Sequence, residues 1–293
     1  MPALPGPLRH AALPVLWAIL PLTVGPALAA ALADTSRPVQ VTASVGAWAI
    51  WAATLVATLV PRALGLTAIR IVGPAVLAAA LWTAVDGVDA TEATVAAASA
   101  AVVTAVVLWP GTADRFVDGS SYGEERRFPL RPPGQLLLGP IELAWVVAVA
   151  GVITGPLLLA AGSTVVGGIA LVVGLPAAAV TVRALHTLSL RWLVFVPAGV
   201  VVHDPLVLRD PSLLLRRQVT AVRPAPADTA ATDLTADALG LALEIDLSEP
   251  VTIAPSGRFG LPAELRDVTT ILVAPTRPGA VIRTASERHL PTG

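Results

Sequence analysis

As far as Val182 the chain alternates long apolar runs with short polar breaks. A membrane-crossing helix needs about 20 mostly apolar residues, because the hydrocarbon core is about 30 Å thick and each residue rises 1.5 Å. Six runs meet that requirement: Ala11–Ala33, Ala43–Val60, Leu66–Val85, Ala93–Trp109, Leu138–Ala161 and Ser163–Val182. Their ends carry breakers, Pro61-Arg62 after the second and Pro110-Gly111 after the fourth. The fifth and sixth meet at a turn near Gly162, so short that the two helices must be antiparallel neighbours. The first run has two open readings. Arg9 and His10 before it, and Ala31-Leu32-Ala33 before Asp34, fit a secretory signal with a small-residue cleavage site, which would leave five spans. The length of the run favours an uncut helix, since a signal core is only about 7–15 residues long.

From Thr187 to Gly293 the runs become short and the punctuation frequent. Trp192–Val196 and Val200–Val202 flank Pro197-Ala198-Gly199 and read as a hairpin. Asp204-Pro205 and Asp210-Pro211 make further corners, with Leu206–Leu208 and Leu213–Leu215 beyond them. Val219–Arg223 continues the strand pattern, and Ala225–Ala236 reads as an inserted loop. Leu239–Leu247 and Val251–Ala254 suggest a pair of strands turning at Ser248-Glu249-Pro250, and Val268–Val273 the last strand. Pro278 then suits the first turn of a short helix to about His289, because proline lacks only a donor that is unpaired there. The expectation is six or seven antiparallel strands and one helix.

The opening hairpin Arg191–His203, the strand Val219-Thr220-Ala221-Val222 after Arg216-Arg217, and the ending Ile271-Leu272-Val273-Ala274-Pro275 into Pro278–Glu287 carry a resemblance. In this order of elements the tail resembles the bacterial pleckstrin-homology-like (PH-like) domains that follow membrane helices. The resemblance covers about the last third of the chain, rests on no diagnostic motif, and is interrupted by the Ala225–Ala236 insertion. It implies a binding or scaffolding module. The fold class expected for the whole is therefore a membrane all-α bundle of about six transmembrane helices over residues 1–186, then a small β-rich α+β domain over 187–293.

Composition sharpens the membrane assignment. Hydrophobic residues make up 55% and charged residues 13%, with a mean hydropathy of +0.76, whereas soluble domains carry about 25% charged residues. That excludes an ordinary soluble enzyme, and a net charge of −1 on so apolar a chain excludes disorder. There is no Cys, hence no disulfide, thiolate nucleophile or Cys-ligated metal, and no Asn, hence no N-glycosylation site. All 19 basic residues are Arg. An Ala/Val/Pro/Arg-rich chain without Lys or Asn resembles the multi-pass membrane proteins of GC-rich, actinobacterial-type genomes.

The arginines are distributed unevenly. Arg9, Arg62, Arg70, Arg115, Arg126, Arg127, Arg131, Arg183 and Arg191 fall on one side of the six runs and Arg37 alone on the other, where Asp86, Asp89 and Glu92 also lie. Positive residues mark the cytoplasmic side, so both termini and the tail are expected in the cytoplasm of a bacterial inner membrane. The 111–135 loop, with its arginines and Arg131-Pro132-Pro133-Gly134, reads as a solvated connector that fixes this topology.

Candidate chemistry is sparse. Glu142 is the one acid inside an apolar run, and an ionisable group there is a functional candidate by default. It follows Gly139-Pro140, however, so it falls in a first turn where the helix dipole favours a carboxylate, and Arg70 or Arg183 is available at the same depth. Arg70 and Arg183 read as anchors that snorkel to the interface. Gly151 and Gly155 form a small-xxx-small pair suited to close helix packing. Arg209, Arg216, Arg217 and Arg223 are candidates for contacts with lipid head groups, set against the alternative of a solvated strand edge. His10, His186, His203 and His289 are scattered, with no metal-ligand spacing. No phosphate-loop or nucleophile-elbow motif is present, and no cofactor is expected. From Arg191 onward charges are balanced, which argues against nucleic acid. The sequence thus suggests a non-enzymatic membrane protein carrying a domain that binds a protein partner or the membrane surface. The alternative is a small-solute or proton-coupled transporter using Glu142.

Overall fold

The computed structural model describes residues 6–257 and 264–293, without side-chain detail for residues 6–11. Arg9, His10 and Arg258 therefore lie outside the described side chains. Two compact units divide the chain: residues 1–113 with 144–183, and residues 114–143 with 184–293.

Among the described residues the first unit is helical and holds six segments long and apolar enough to cross a membrane. The first, Ala12–Ala31, is broken into α1 (Gly6–Ala18), α2 (Leu20–Thr23) and α3 (Gly25–Ala31). Pro21 and Pro26 start the second and third pieces, because proline lacks the N–H needed to continue a helical ladder. The carbonyl of Trp17, four residues before Pro21, instead accepts the indole N–H of Trp51 at 3.0 Å, and the Trp17 indole donates to the Trp51 carbonyl at 3.0 Å. The other spans are α4 (Arg37–Leu59), α5 (Ala63–Val85), α6 (Ala90–Leu108), α8 (Pro140–Ala160) and α9 (Thr164–Leu188). Most begin a few residues earlier than their apolar runs, since polar first turns can still be capped. At α6 the Asp89 carboxylate accepts the N–H groups of Thr91 (2.9 Å) and Glu92 (3.2 Å).

Helix packing within this unit combines small residues with branched ones. Ala93, Ala96, Ala100, Val103 and Val107 of α6 are buried, as are Leu66, Ile69, Gly73 and Ala80 of α5. The backbones approach closely because lipid gives no hydrophobic drive to association and tight contact must replace it. Pro74 leaves the Arg70 carbonyl without its helical donor, and carbonyls between the two residues take side-chain donors from other helices: Gly73 from Thr104 at 3.1 Å and Ile71 from Trp145 Nε1 at 2.9 Å. Large apolar side chains such as Val45, Trp48, Val85, Val165 and Val172 point outward, the arrangement expected where lipid is the solvent.

Among its described residues the second unit contains two four-stranded sheets. Its strands are β1 (Arg126–Pro129), β2 (Trp192–Val196), β3 (Gly199–His203), β4 (Ser212–Leu215), β5 (Val219–Pro224), β6 (Thr232–Asp233), β7 (Leu243–Ile253) and β8 (Arg266–Val273). One sheet has the order β1-β2-β3-β4 and the other β5-β7-β8-β6. The helix α10 (Pro278–Glu287) follows. Phe128, Phe195, Val202 and Leu214 from the first sheet share one core with Val222, Ile245 and Ile271 from the second and Val281 from α10.

Three expectations change. The 111–135 connector is structured: Pro110, a breaker for the preceding span, opens α7 (Pro110–Asp118), and Arg126–Pro129 becomes β1, paired antiparallel with β2. The two strands expected around Ser248-Glu249-Pro250 form a single strand, β7, irregular between Asp246 and Val251 while both halves pair with β8. A bulge absorbs Pro250, so no turn is required. Finally, the strands are not all antiparallel, because β6, drawn from the Ala225–Ala236 insertion, pairs in parallel with β8.

The β1–β2 pairing has an unusual connection. Pro129 lies opposite Trp192, yet residues 130–191 between them include both α8 and α9. Two membrane-length helices are thus inserted into what is otherwise a hairpin.

Candidate functional site

The interior of the β-rich unit is fastened by charged groups. Register places Trp192 opposite His203, which sets Arg191 and Asp204 side by side just beyond the hairpin. Both side chains are fully buried, with Arg191 Nη2 2.7 Å from Asp204 Oδ2 and Nε 2.9 Å from both carboxylate oxygens. The guanidinium also donates to the carbonyls of Arg131 and, at 3.1 Å, Thr235, while the Leu206 N–H donates to Asp204. A buried pair persists only when its remaining donors and acceptors are also satisfied, and here three loops provide them. Next to it, His203 stacks on Trp192 with ring centroids 4.8 Å apart, and its Nδ1 lies 2.8 Å from the Leu190 carbonyl.

A second polar group surrounds Glu244, which is buried. It accepts from the Thr229 hydroxyl and from Arg223 at 2.6 Å, and Arg223 also reaches Asp246 at 2.9 Å. The Thr229 hydroxyl, then Arg223, hold the Glu244 carboxyl below its ordinary range, and the Arg223 guanidinium is correspondingly raised. A third group joins α7 to the start of α10: Arg277 Nη1 lies 2.8 Å from Asp114 Oδ2. Burial nevertheless pushes the Asp114 carboxyl up, because desolvation outweighs the guanidinium, and its Oδ1 has no hydrogen-bond partner among the described residues.

Against this frame the four candidate head-group arginines separate. Arg209 pairs with Asp210 at 3.0 Å on the surface, and Arg223 belongs to the Glu244 group. Arg216 and Arg217 are exposed at the β4–β5 turn and line an open hollow of about 640 Å³ with Ala198, Leu215, Val219 and His289. The sequence linked Arg216 and Arg217 by adjacency, but gave no sign that His289 joins them. A second shallow depression, bordered by Glu124, Arg216, Arg288 and His289, continues from it.

The candidates in the apolar runs are placed separately. Glu142, exposed in the first turn of α8, accepts the Gly139 N–H at 2.9 Å and so caps its own helix. Arg70 lies eight residues into α5, deeper than an interfacial anchor, and its Nε has no hydrogen-bond partner among the described residues. Arg183 lies in the last two turns of α9. Gly151 and Gly155 are both at close approaches to α9, where a Cβ on Gly151 would come within 2.3 Å of the Gly174 carbonyl oxygen. Among the described residues no group of three or more His, Asp or Glu is placed to hold a metal ion.

Compared with protein-family models, with curated proteins and with solved structures, the chain matches none.

Proposed function

We propose that this chain is a non-enzymatic bacterial inner-membrane protein whose helices hold a cytoplasmic, PH-like binding domain at the membrane. The observation that carries the reading is the β1–β2 ladder closed across α8 and α9. Backbone hydrogen bonds cannot join strands on opposite sides of a bilayer, so the number of crossings between Pro129 and Trp192 is even. Two crossings give a domain tethered at both ends of a membrane hairpin, on the arginine-rich side. The two sheets closed by a final helix support the PH-like reading.

The use of polar groups favours binding over chemistry. Arg191, Asp204, Arg223, Glu244, Asp114 and Arg277 are engaged with one another in three pairs, while Arg216, Arg217 and His289 are among the groups that face solvent and are open to a partner. The cap formed by Glu142 favours a structural role over proton-coupled transport.

A chromosomal truncation after Leu188 tests this. The shortened chain should still fractionate with membranes, since all six apolar helices remain, yet reproduce the phenotype of a complete deletion. Full complementation by the truncated chain would reject a working role for the β-rich unit.

A further inference from the structure

We infer that the hollow formed by Arg216, Arg217 and His289 is a binding site for a phosphoryl group carried on a small anionic ligand. The inference rests on the reading of the β-rich unit as a binding module and names its ligand class.

The backbone that carries the cations is held. The β4–β5 turn that carries Arg216 and Arg217 is clipped at three points: Arg216 N–H to the Ala198 carbonyl (2.8 Å), Gln218 N–H to the Leu215 carbonyl (2.8 Å), and Leu215 N–H to Gln218 Oε1 (3.0 Å). Gln218 Nε2 also donates to Glu249 at 2.8 Å, which engages a carboxylate neighbouring the turn. Among the described residues no acid lines the hollow itself, while Glu124 and Glu287 border the depression that continues from it. Two exposed guanidiniums with no ion pair among the described residues, carried on one hydrogen-bonded turn, suit a multiply charged tetrahedral anion, which accepts several charge-assisted hydrogen bonds at once.

His289 supplies the independent observation. It ends α10 with φ +55°, in the left-handed region, while Leu290 N–H bonds the Ala285 carbonyl and His289 N–H the Ser286 carbonyl, each at 2.9 Å. This helix-ending geometry ordinarily takes glycine. The His289 ring is exposed, so burying it does not compensate for the conformation. A side chain kept where glycine would fit more easily, on the wall of a cationic hollow, points to a use for the imidazole.

The test uses the full chain in phosphatidylcholine nanodiscs, titrated calorimetrically with inorganic phosphate and pyrophosphate at low salt. Saturable binding of at least one is expected. The double variant Arg216→Ala/Arg217→Ala should weaken it at least about tenfold, since each charge-assisted bond lost is worth about a factor of ten. His289→Gly should weaken it severalfold while matching or exceeding the thermal stability of the parent, a pattern that a purely structural histidine would not give. Discs containing phosphatidic acid separate the sources. Suppression of pyrophosphate binding there identifies a lipid phosphomonoester as the ligand, and undiminished binding identifies a soluble one. Absence of saturable binding to both anions in the phosphatidylcholine discs, or equal binding by the double variant, overturns the site. Failure of the site with the Leu188 truncation still inactive would leave the binding-module reading intact, with a different partner.

Discussion

Arg191 shows what single residues contribute and how little of that a sequence reveals. In the sequence it is one more cation after the last apolar run, and Asp204 is part of an Asp-Pro corner. Only the register of β2 and β3 brings them together, and register depends on a turn whose geometry is not written in any one residue. Arg191→Met should destabilise the β-rich unit by about 3–5 kcal/mol, because Asp204 is left charged and buried without its partner. Arg191→Lys should recover only part, since a lysine cannot form the forked contact. Hydrogen-exchange protection of β2 and β3 amides measures both. Glu244 gives a pH-dependent counterpart. Its carboxyl is lowered in the folded state, so its stabilising contribution is complete above the unfolded-state value of about 4.3 and is lost as pH falls through the folded value. Thermal midpoints of the parent should therefore fall in that acidic window, and Glu244→Gln should flatten this part of the profile.

Among the elements, the six apolar helices were the most legible, because twenty consecutive apolar residues have few other uses. The hairpin at Pro197-Ala198-Gly199 and the helix opened by Pro278 were equally readable from local turn and cap chemistry. β1 was hidden for a physical reason: Arg126-Arg127-Phe128-Pro129 has no apolar alternation, and its charges and proline suit only the edge of a sheet, where its partner decides whether it forms. Gly151 was legible as a type of contact and not as a place. At 2.3 Å from a carbonyl oxygen the added Cβ of Gly151→Leu must drive α8 and α9 apart, at a cost of about 1–3 kcal/mol. Gly168→Leu, on the same hairpin with nothing within 4 Å of its Cβ position, should be tolerated. Midpoints of thermal unfolding in a mild detergent should rank the two variants in that order.

At the scale of the molecule, charge asymmetry and strand pairing are independent arguments for one topology. The first counts arginines along the sequence; the second requires both ends of the α8–α9 hairpin on one side. Because the chain has no cysteine, single substitutions can report it. Ser36→Cys and Ala90→Cys should react with an impermeant thiol reagent in intact cells, while Ser120→Cys and Ala230→Cys should react only after permeabilisation. Labelling of Ala230→Cys from outside would reverse the proposed orientation. The division into two units was only partly visible in the sequence, since a contrast in composition marks where apolar runs stop but not which polar loop is drawn into a distant sheet.

That loop sets an order on biosynthesis. β1 leaves the ribosome before α8, but the strand it pairs with is not made until α9 is complete. During this interval a short edge strand waits unpaired, with Phe128 unable to reach the core that later buries it. The first sheet can close only after the ribosome has delivered both helices to the insertion machinery. A defect in threading the α8–α9 hairpin into the bilayer would therefore emerge as misfolding of a domain outside the bilayer.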